Sequence, residues 1–158
     1  MGVITCDIEI TSSVPAARMF EAIVLDSDNL IPKIMPQAIE SVEILEGDGG
    51  VGTIKLVNFG EGSQFKSVKH RVDALDKENF THSYSIVEGD VLMGIFESIT
   101  YHIEILATAD GGCICRNRSI YNTKGDVQIT EEKIKEGKEK TMAMFEAIEA
   151  YLQENQDD

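Results

Sequence analysis

Polar and ionisable side chains recur on one side of three segments whose alternating pattern is typical of β-strands. His82 and Tyr84 share a side of the first segment, Tyr101 lies on the apolar side of the second, and Asn117 and Ser119 share a side of the third. Since successive side chains of a strand point to opposite faces, we expect all five to point into a common interior. There they could hydrogen-bond to a small molecule, and histidine and tyrosine could exchange protons with it.

Such a set of interior polar side chains has two explanations. A polar group sealed in a dry core without a partner costs about 1–3 kcal/mol, so each must find another side chain, water or a ligand. A satisfied internal network explains the pattern as well as a ligand does. His82 is the residue best matched to acid–base chemistry at neutral pH, although a single interior histidine is more often a structural hydrogen-bonding group.

The three cysteines do not match a metal-binding or disulfide pattern. Cys113 and Cys115 are two residues apart in a predicted strand, where we expect them on opposite faces, and three thiols cannot all pair. Cys-x-Cys without a nearby histidine or further cysteine also lacks the ligands of a zinc site. We therefore expect reduced thiols, no metal site and a cytoplasmic location.

The composition indicates one soluble domain that avoids polyanions. The chain has 158 residues, 42% of them hydrophobic, and a formal net charge of −14. We expect a single ligand-binding domain over residues 1–158, in which residues 153–158 form a frayed acidic tail. The negative charge argues against nucleic acid and membranes as partners, and no segment is long enough to span a bilayer. Because no free strand edge compels association, we expect a monomer.

The hydrophobic periodicity predicts an α+β chain that ends in a long helix. Residues 3–10 alternate as a half-buried strand, apolar residues at helical spacing follow over 16–25, and prolines break up the next stretch, 30–39. Short turns then separate further strands, which favours an antiparallel meander. These strands lie near 41–46, 53–59, 65–73, 80–87, 97–106 and 113–121.

The predicted C-terminal helix begins after a capping residue, Thr130, and spans about 24 residues, or about 36 Å at 1.5 Å per residue. Toward the sheet it presents Gly137, Thr141 and Met144, where a tightly filled core would prefer Leu or Ile. Ordinary variation in side-chain fit explains these residues too. Together with the polar strand faces, however, they favour a hollow interior.

A glycine-rich turn connects the first two strands of the predicted meander, from Glu46 to Thr53. It lacks the Gly-Lys-Ser/Thr ending of a phosphate-binding loop, and it precedes a strand instead of a helix. A hairpin that needs positive φ angles explains the glycines better.

Other ionisable residues receive no chemical role. The Asp26-Ser27-Asp28 run is typical of a solvated helix end. His70 lies in a strand whose facing the pattern leaves open, and His102 is expected to point outward.

Several segments together resemble one plant protein family. They are Val14–Phe20, Asp28–Lys33, the Glu46–Thr53 turn, Tyr84–Asp90 and Thr123–Asp126. In combination they closely resemble the class-ten pathogenesis-related plant proteins, the family of the major birch-pollen allergen, and the likeness covers essentially the whole chain. The resemblance implies a seven-stranded curved antiparallel sheet wrapped around the long C-terminal helix, with two short helices and a large internal cavity, the helix-grip fold.

The resemblance also implies a function. Relatives bind flavonoids, cytokinins and sterol-like molecules, so the chain is expected to be an intracellular carrier for a small hydrophobic metabolite or hormone. A phenolic, cytokinin or steroid-like molecule is the implied partner, no cofactor is implied, and a role in defence and stress responses and allergenicity are expected. The family places Lys55, Val57 and Phe59 inward. Lys55 could then meet an anionic or phenolic group, or extend to the cavity mouth.

The alternation and the resemblance together give a set of expected ligand-binding residues. They are Ile23, Asn29, Ile31, Lys55, Val57, Phe59, His82, Tyr84, Tyr101, Ile103, Cys115, Asn117, Ser119, Gly137, Thr141 and Met144. The glycine-rich loop comprises Gly47, Asp48, Gly49, Gly50 and Gly52.

Two enzymatic alternatives follow from the same family. Some relatives are described as ribonucleases, and the residues implicated match Lys55, Glu97, Glu149 and Tyr151 here. The negative charge argues against RNA as the main substrate. Other relatives catalyse Pictet–Spengler condensations in alkaloid synthesis, with a cavity lysine, tyrosine and carboxylates as proton shuttles. The interior lysine, histidine and tyrosines of this chain could supply a base and an acid.

Overall fold

The chain folds into a seven-stranded sheet and three helices, in a computed structural model that describes residues 3–61, 66–89, 92, 96–125 and 131–154. The strands are β1 (Val3–Ser12), β2 (Ile39–Glu46), β3 (Ile54–Phe59), β4 (Ser67–Asp76), β5 (Thr81–Gly89), β6 (Phe96–Ala107) and β7 (Cys113–Thr123). The helices are α1 (Ala16–Phe20), α2 (Ser27–Ile34) and α3 (Glu131–Glu154). The predicted element order is confirmed, and of the strand expected over 65–73 the first residue lies outside the described part.

The strands form one antiparallel sheet in the order β1-β7-β6-β5-β4-β3-β2. The predicted meander runs from β2 to β7, and β1 joins its far side by pairing with β7. Within the described part of the chain the sheet stays open, and β1 and β2 each pair on one side, so their outer edges are free, contrary to the expectation from the sequence. Ile44 and Leu45 of β2 are 49% and 46% exposed there. The oligomeric state remains a prediction.

The two short helices form a support at one end of the sheet. α1 begins directly after Pro15, and the Ser12 hydroxyl accepts a bond from the Val14 amide at 3.1 Å instead of capping the helix. The helix then widens into a π-helical turn over Glu21–Leu25. α2 contains Pro32 beyond its first turn. Because proline has no backbone N–H, one intrahelical hydrogen bond is lost at this position.

The long helix α3 fills the core with one half and stands away from the sheet with the other. Its buried residues, Phe145, Ile148 and Leu152, all lie in the C-terminal half. The helix backbone approaches β1, α2 and the π-helical turn, and the central strands lie farther away. Within the described residues, no helix is both long and apolar enough to span a bilayer.

The C-terminal end of α3 differs from the expectation. Gln153 and Glu154 belong to the helix and not to a frayed tail, and the Gln153 side chain donates a 3.0 Å hydrogen bond to the Ser13 hydroxyl. Residues 155–158 and the expected cap Thr130 lie outside the described residues.

Two clusters of buried apolar side chains hold the elements together. The larger lies among α1, α2, α3, β6 and β7, with Met19 and Phe20 each only 1% exposed. The smaller lies toward the other end of the sheet. Its members are Val57, Val68, Ile86, Phe96 and Ile99.

The cysteines are all free, as expected, but two of them are placed differently from the prediction. Cys113 and Cys115 lie on the same face of β7, inside the larger cluster, with their sulfurs 3.9 Å apart. The expectation of opposite faces was wrong because residues two apart in a strand share a face. Burial raises the pKa of both thiols.

Phe80 also departs from the prediction, which made it the first residue of the strand near 80–87, on the inward side with His82 and Tyr84. It lies instead in the turn before β5, with a φ of +55°. That conformation is costly for a residue with a large side chain. The Phe80 ring contacts the buried Phe20 ring at 5.4 Å between centroids, and the resulting burial offsets the cost.

Candidate functional site

The sheet and the N-terminal half of α3 enclose a cavity of about 520 Å³, to which α2 also contributes. Members of both apolar clusters line it. Strands β3 to β7 supply the floor, and the helix supplies the roof through half-buried residues such as Ile134 and Gly137. A volume of this size accommodates one small organic molecule.

The antiparallel register arranges the inward side chains in rows across the strands. His82, Ile103 and Asn117 occupy one row on β5, β6 and β7. Tyr84 and Tyr101 are direct partners in the next row. Each row therefore brings together residues that are far apart in the sequence.

A third row begins at Lys55, whose partner across the β3–β4 pair is His70. The row continues through Ile86 and Ile99 to Tyr121 on β7. This row places a second histidine in the cavity, beside the tyrosines of the neighbouring row.

Aromatic rings form a continuous shelf on the cavity floor. The Tyr84 ring stacks on Tyr101 at 5.0 Å and on His70 at 4.8 Å, and the His82 ring tilts against it at 5.3 Å. Rings at such separations attract each other beyond their burial, which holds the shelf rigid. A flat apolar ligand finds a preformed surface here.

The ionisable groups of this shelf are uncharged at neutral pH. The pKa of His70 and the pKa of His82 are both lowered to about 4, mainly by burial and in smaller part by the positive charge of Lys55. The remaining exposed part of each ring faces the cavity. Burial also raises the pKa of Tyr84 to about 12 and the pKa of Tyr101 well above its ordinary value.

Among the residues that the structure describes, two buried side-chain polar atoms have no hydrogen-bond partner. They are the Oδ1 atom of Asn117 and the Nδ1 atom of His82, which lie in the same row. Asn117 is only 5% exposed, so bulk water does not satisfy its carbonyl oxygen. Natural proteins leave few such atoms unpaired, and those that remain call for a ligand, water or another explanation.

Lys55 is neutralised by a carboxylate at the cavity wall. Its Nζ atom lies 2.9 Å from one oxygen of Asp28 and 3.1 Å from the other. The two side chains are 16% and 29% exposed. Asp28 comes from the first turn of α2, so the interpretation of the 26–28 run as a solvated helix end was wrong for this residue.

Most of the expected ligand-binding residues line the cavity. They are Ile23, Ile31, Lys55, Val57, Phe59, His82, Tyr84, Tyr101, Ile103, Asn117, Gly137, Thr141 and Met144. Their role in binding remains a prediction.

Three expected residues lie elsewhere, each for a local reason. Asn29 is exposed on α2, where its amide donates to the Asp26 carboxylate at 3.1 Å. Cys115 is covered by the larger apolar cluster. Ser119 is buried below the cavity surface and hydrogen-bonds to Tyr121, which partly offsets the rise that burial causes in the pKa of that tyrosine.

The glycine-rich loop is a turn in which backbone amides donate hydrogen bonds to side chains of the turn itself. The Gly49 amide donates to the Thr53 hydroxyl at 2.9 Å, and the Gly50 amide donates to the Asp48 carboxylate at 3.0 Å. Gly47, Gly49 and Gly52 all have positive φ. A loop that uses its amides internally and holds a carboxylate is poorly suited to a phosphate group.

The residues expected from the ribonuclease alternative do not form a cluster in the cavity. Of the four, only Lys55 lines it, and Lys55 pairs with Asp28. Glu97 is exposed on β6, Glu149 lies close enough to the buried thiols to raise their pKa, and the Tyr151 hydroxyl accepts a 3.0 Å bond from Lys33. The four side chains therefore lie in different parts of the structure.

The residues expected from the sequence omit several ionisable residues that line the cavity, namely Asp28, His70, Tyr121, Lys133, Glu136 and Lys140. His70 alternates with Lys69 and Arg71 on β4, which was a usable signal for its inward position. For Asp28, the position in the first helical turn says nothing about a partner on β3, so no local signal was available. Among the described residues no group of three or more metal-ligating side chains comes together.

Comparison with known proteins places this geometry in context. The model of the family described as "Pathogenesis-related protein Bet v 1 family" matches residues 1–155. The chain is 55% identical over 157 residues to major allergen Pru ar 1 of Prunus armeniaca, covering 99% of this chain and 98% of that protein. Such identity over nearly the full length indicates the same fold.

Solved structures show the same architecture. The crystal structure of Ara h 8.0201 has a TM-score of 0.87 at 38% identity, covering 97% of this chain and 99% of the other. The structure of norcoclaurine synthase from Thalictrum flavum in complex with dopamine and hydroxybenzaldehyde has a TM-score of 0.78 at 25% identity, covering 97% and 88% of the two chains.

Proposed function

Because this chain belongs to the pathogenesis-related protein Bet v 1 family, we propose that it binds and carries a small, uncharged, largely apolar plant metabolite or hormone. A phenolic, cytokinin or steroid-like molecule is the proposed ligand class. The observation that supports this most directly is the cavity of about 520 Å³ with its aromatic shelf. Apolar contact supplies affinity, and the few polar atoms orient the ligand.

The charge state of the cavity favours an uncharged ligand. His70 and His82 are neutral at pH 7 because their pKa values are about 4. Lys55 is compensated by Asp28. A carboxylate ligand would lose its water of hydration without meeting an unpaired cation on the cavity floor, which is unfavourable.

The test is the binding of an apolar fluorescent dye by a cavity-filling variant and a matched control. Thr141→Phe places a ring in the cavity, whereas Met142→Phe places the same ring on the exposed side of α3. We expect the dye to bind the wild type and Met142→Phe alike, and Thr141→Phe at least about tenfold more weakly. Equal affinity of all three proteins would refute the carrier proposal.

The cellular setting follows from the same proposal. We propose a cytoplasmic protein that acts in defence or stress responses, since its three cysteines are free and its family is named for pathogenesis. The relatives in Prunus and Fragaria are named major allergens, so we also propose that this chain is an allergen. Binding of serum antibodies from patients sensitised to those fruits tests this.

A second candidate function is a cavity enzyme, which the likeness to norcoclaurine synthase favours. Lys55 and two histidines beside the aromatic shelf would be the acid–base groups. Incubation with dopamine and hydroxybenzaldehyde tests it, and a condensation product absent in Lys55→Met would support it. We favour the carrier because a histidine with a pKa near 4 is a weak base and is not present as the acidic imidazolium at pH 7.

A further inference from the structure

Strand β1 lies at one free edge of the sheet, and its pairing is regular. Its 10 residues pair with β7 without a bulge, and within the described part of the chain no other strand pairs with it. The expectation of a monomer assumed that no such edge exists. An unpaired row of backbone N–H and C=O groups is a template for a further strand, so β1 can accept one.

The opposite edge strand, β2, is protected against such pairing. Its register with β3 shifts at two places, which marks bulges or irregularities. Three exposed glutamates lie along it, Glu40, Glu43 and Glu46. Bulges and edge charges both hinder the approach of a further strand. β1 is therefore the edge that remains open.

The acidic side chains of β1 have basic partners. The Asp7 carboxylate lies 2.8 Å from the Nε atom of Arg118, and the Glu9 carboxylate lies 3.1 Å from the Nε atom of Arg116. The hydrogen bond from Arg118 is the main cause of a lowered pKa of Asp7, and the positive charge of Lys138 on α3 contributes to it. The chain has a net charge of −14, but charges beyond about 8 Å are largely screened at physiological ionic strength. A second copy of β1 therefore meets little repulsion at this edge.

The charge pattern also selects how two copies of β1 can pair. In an antiparallel pair with two-fold symmetry, side chains of the same face lie opposite each other, so the axis passes through one residue, which faces its own copy. An axis at Asp7 or Glu9 places a carboxylate opposite itself, and an axis at Ile8 places Asp7 opposite Glu9. Like charges directly opposite are destabilising. An axis at Cys6 avoids them and still pairs residues 3–9.

We propose that β1 pairs with β1 of a second copy of this chain, antiparallel and with the two-fold axis at Cys6, so that two sheets join edge to edge. On the outer face, the Thr5 hydroxyl then lies opposite the Asp7 carboxylate of the second copy. On the inner face, Ile4 lies opposite Ile8. This short pairing buries less than about 1,200 Å², which is typical of a weak, transient dimer.

Sedimentation velocity over a range of protein concentrations tests the dimer and its register. Thr5→Lys places a cation opposite Asp7 of the second copy, and Thr5→Glu places a carboxylate there. Because the two-fold axis repeats each contact, we expect the dissociation constant of the dimer to be about fivefold lower in Thr5→Lys and about fivefold higher in Thr5→Glu. Thr11→Lys and Thr11→Glu make the same changes on the same exposed face, beyond the paired segment, so they should have little effect.

A thiol-specific crosslinker locates the two-fold axis. Of the three free cysteines only Cys6 is not buried. Side chains directly opposite each other have Cβ atoms about 5 Å apart, so bis-maleimidoethane should join two copies of the wild type through Cys6. Cys6→Ser should give no crosslinked dimer, and Thr5→Glu should give less of it than Thr11→Glu.

This inference does not rest on the carrier function, and its outcomes are independent of ligand binding. A sign-dependent response at Thr5 alone, together with the Cys6 crosslink, would establish the dimer. A wild type that stays monomeric up to about 1 mM would overturn it. Equal responses to the substitutions at Thr5 and Thr11, or a dimer that does not crosslink through Cys6, would overturn the proposed pairing of β1 with β1.

Discussion

Replacing Asn117 by leucine should make the protein more stable. The side chain is 5% exposed, its Oδ1 atom has no partner, and its strand neighbours Ile8 and Ile103 are both buried and apolar. A buried carbonyl without a hydrogen bond costs about 1–3 kcal/mol. Leucine has similar branching, and the adjoining cavity has room for its extra volume.

The expected gain is about 1–2 kcal/mol in the free energy of unfolding, because removing the unpaired oxygen recovers most of its desolvation cost. Leucine also suits a buried strand position better than asparagine does. Urea denaturation without ligand measures the change through the midpoint at constant slope. For a domain of this size the melting temperature should rise by about 3–6 °C.

Asn122→Leu is the matched control on the same strand. Its amide donates a 3.0 Å hydrogen bond to the Ser98 hydroxyl, so its replacement should leave stability unchanged or lower it by about 1 kcal/mol. If Asn117→Leu instead lost 1 kcal/mol or more, Asn117 would be satisfied in the folded protein. The assignment of its Oδ1 atom as a buried acceptor without a partner would then be wrong.

Three further predictions concern the buried histidines, the ion pair and the glycine-rich loop. Lowering the pH from 6.5 toward 4 should lower the free energy of unfolding by at most about 3 kcal/mol per histidine, since His70 and His82 bind protons in the unfolded chain near 6.5 and in the folded protein only near 4. Denaturation curves recorded at several pH values across this range measure the effect, and in His82→Phe the free energy of unfolding should fall less steeply as the pH decreases. An unchanged pH dependence in this variant would contradict the buried neutral state of His82. Asp28→Asn should cost about 1–2 kcal/mol and more than Lys55→Met, because Lys55 is the less exposed partner and would keep an unpaired charge; thermal melts showing the reverse order would count against this pairing. Gly47→Ala should destabilise more than Gly49→Ala in urea: both have positive φ, but an added Cβ at Gly47 meets the Thr53 hydroxyl oxygen at 2.6 Å and at Gly49 meets nothing within 4 Å, so equal losses would be inconsistent with the loop geometry.

Alternation and helical periodicity predicted the elements because these patterns are local consequences of backbone geometry. They located strands and helices and placed His82, Tyr84, Tyr101 and Asn117 on inward faces. The pattern was less informative on β4, where a bulge at Asp73 brings Leu75 onto the inward side and breaks the period of two.

The sequence by itself determined that a sheet and a long terminal helix exist, and that polar side chains interrupt the apolar face of the sheet. Tertiary structure alone decided which of those side chains meet. The pairing of Lys55 with Asp28, the row from His82 to Asn117 and the space under the first half of α3 all depend on strand register and on helix placement. These are relations between segments distant in the chain, which no local pattern of residues encodes.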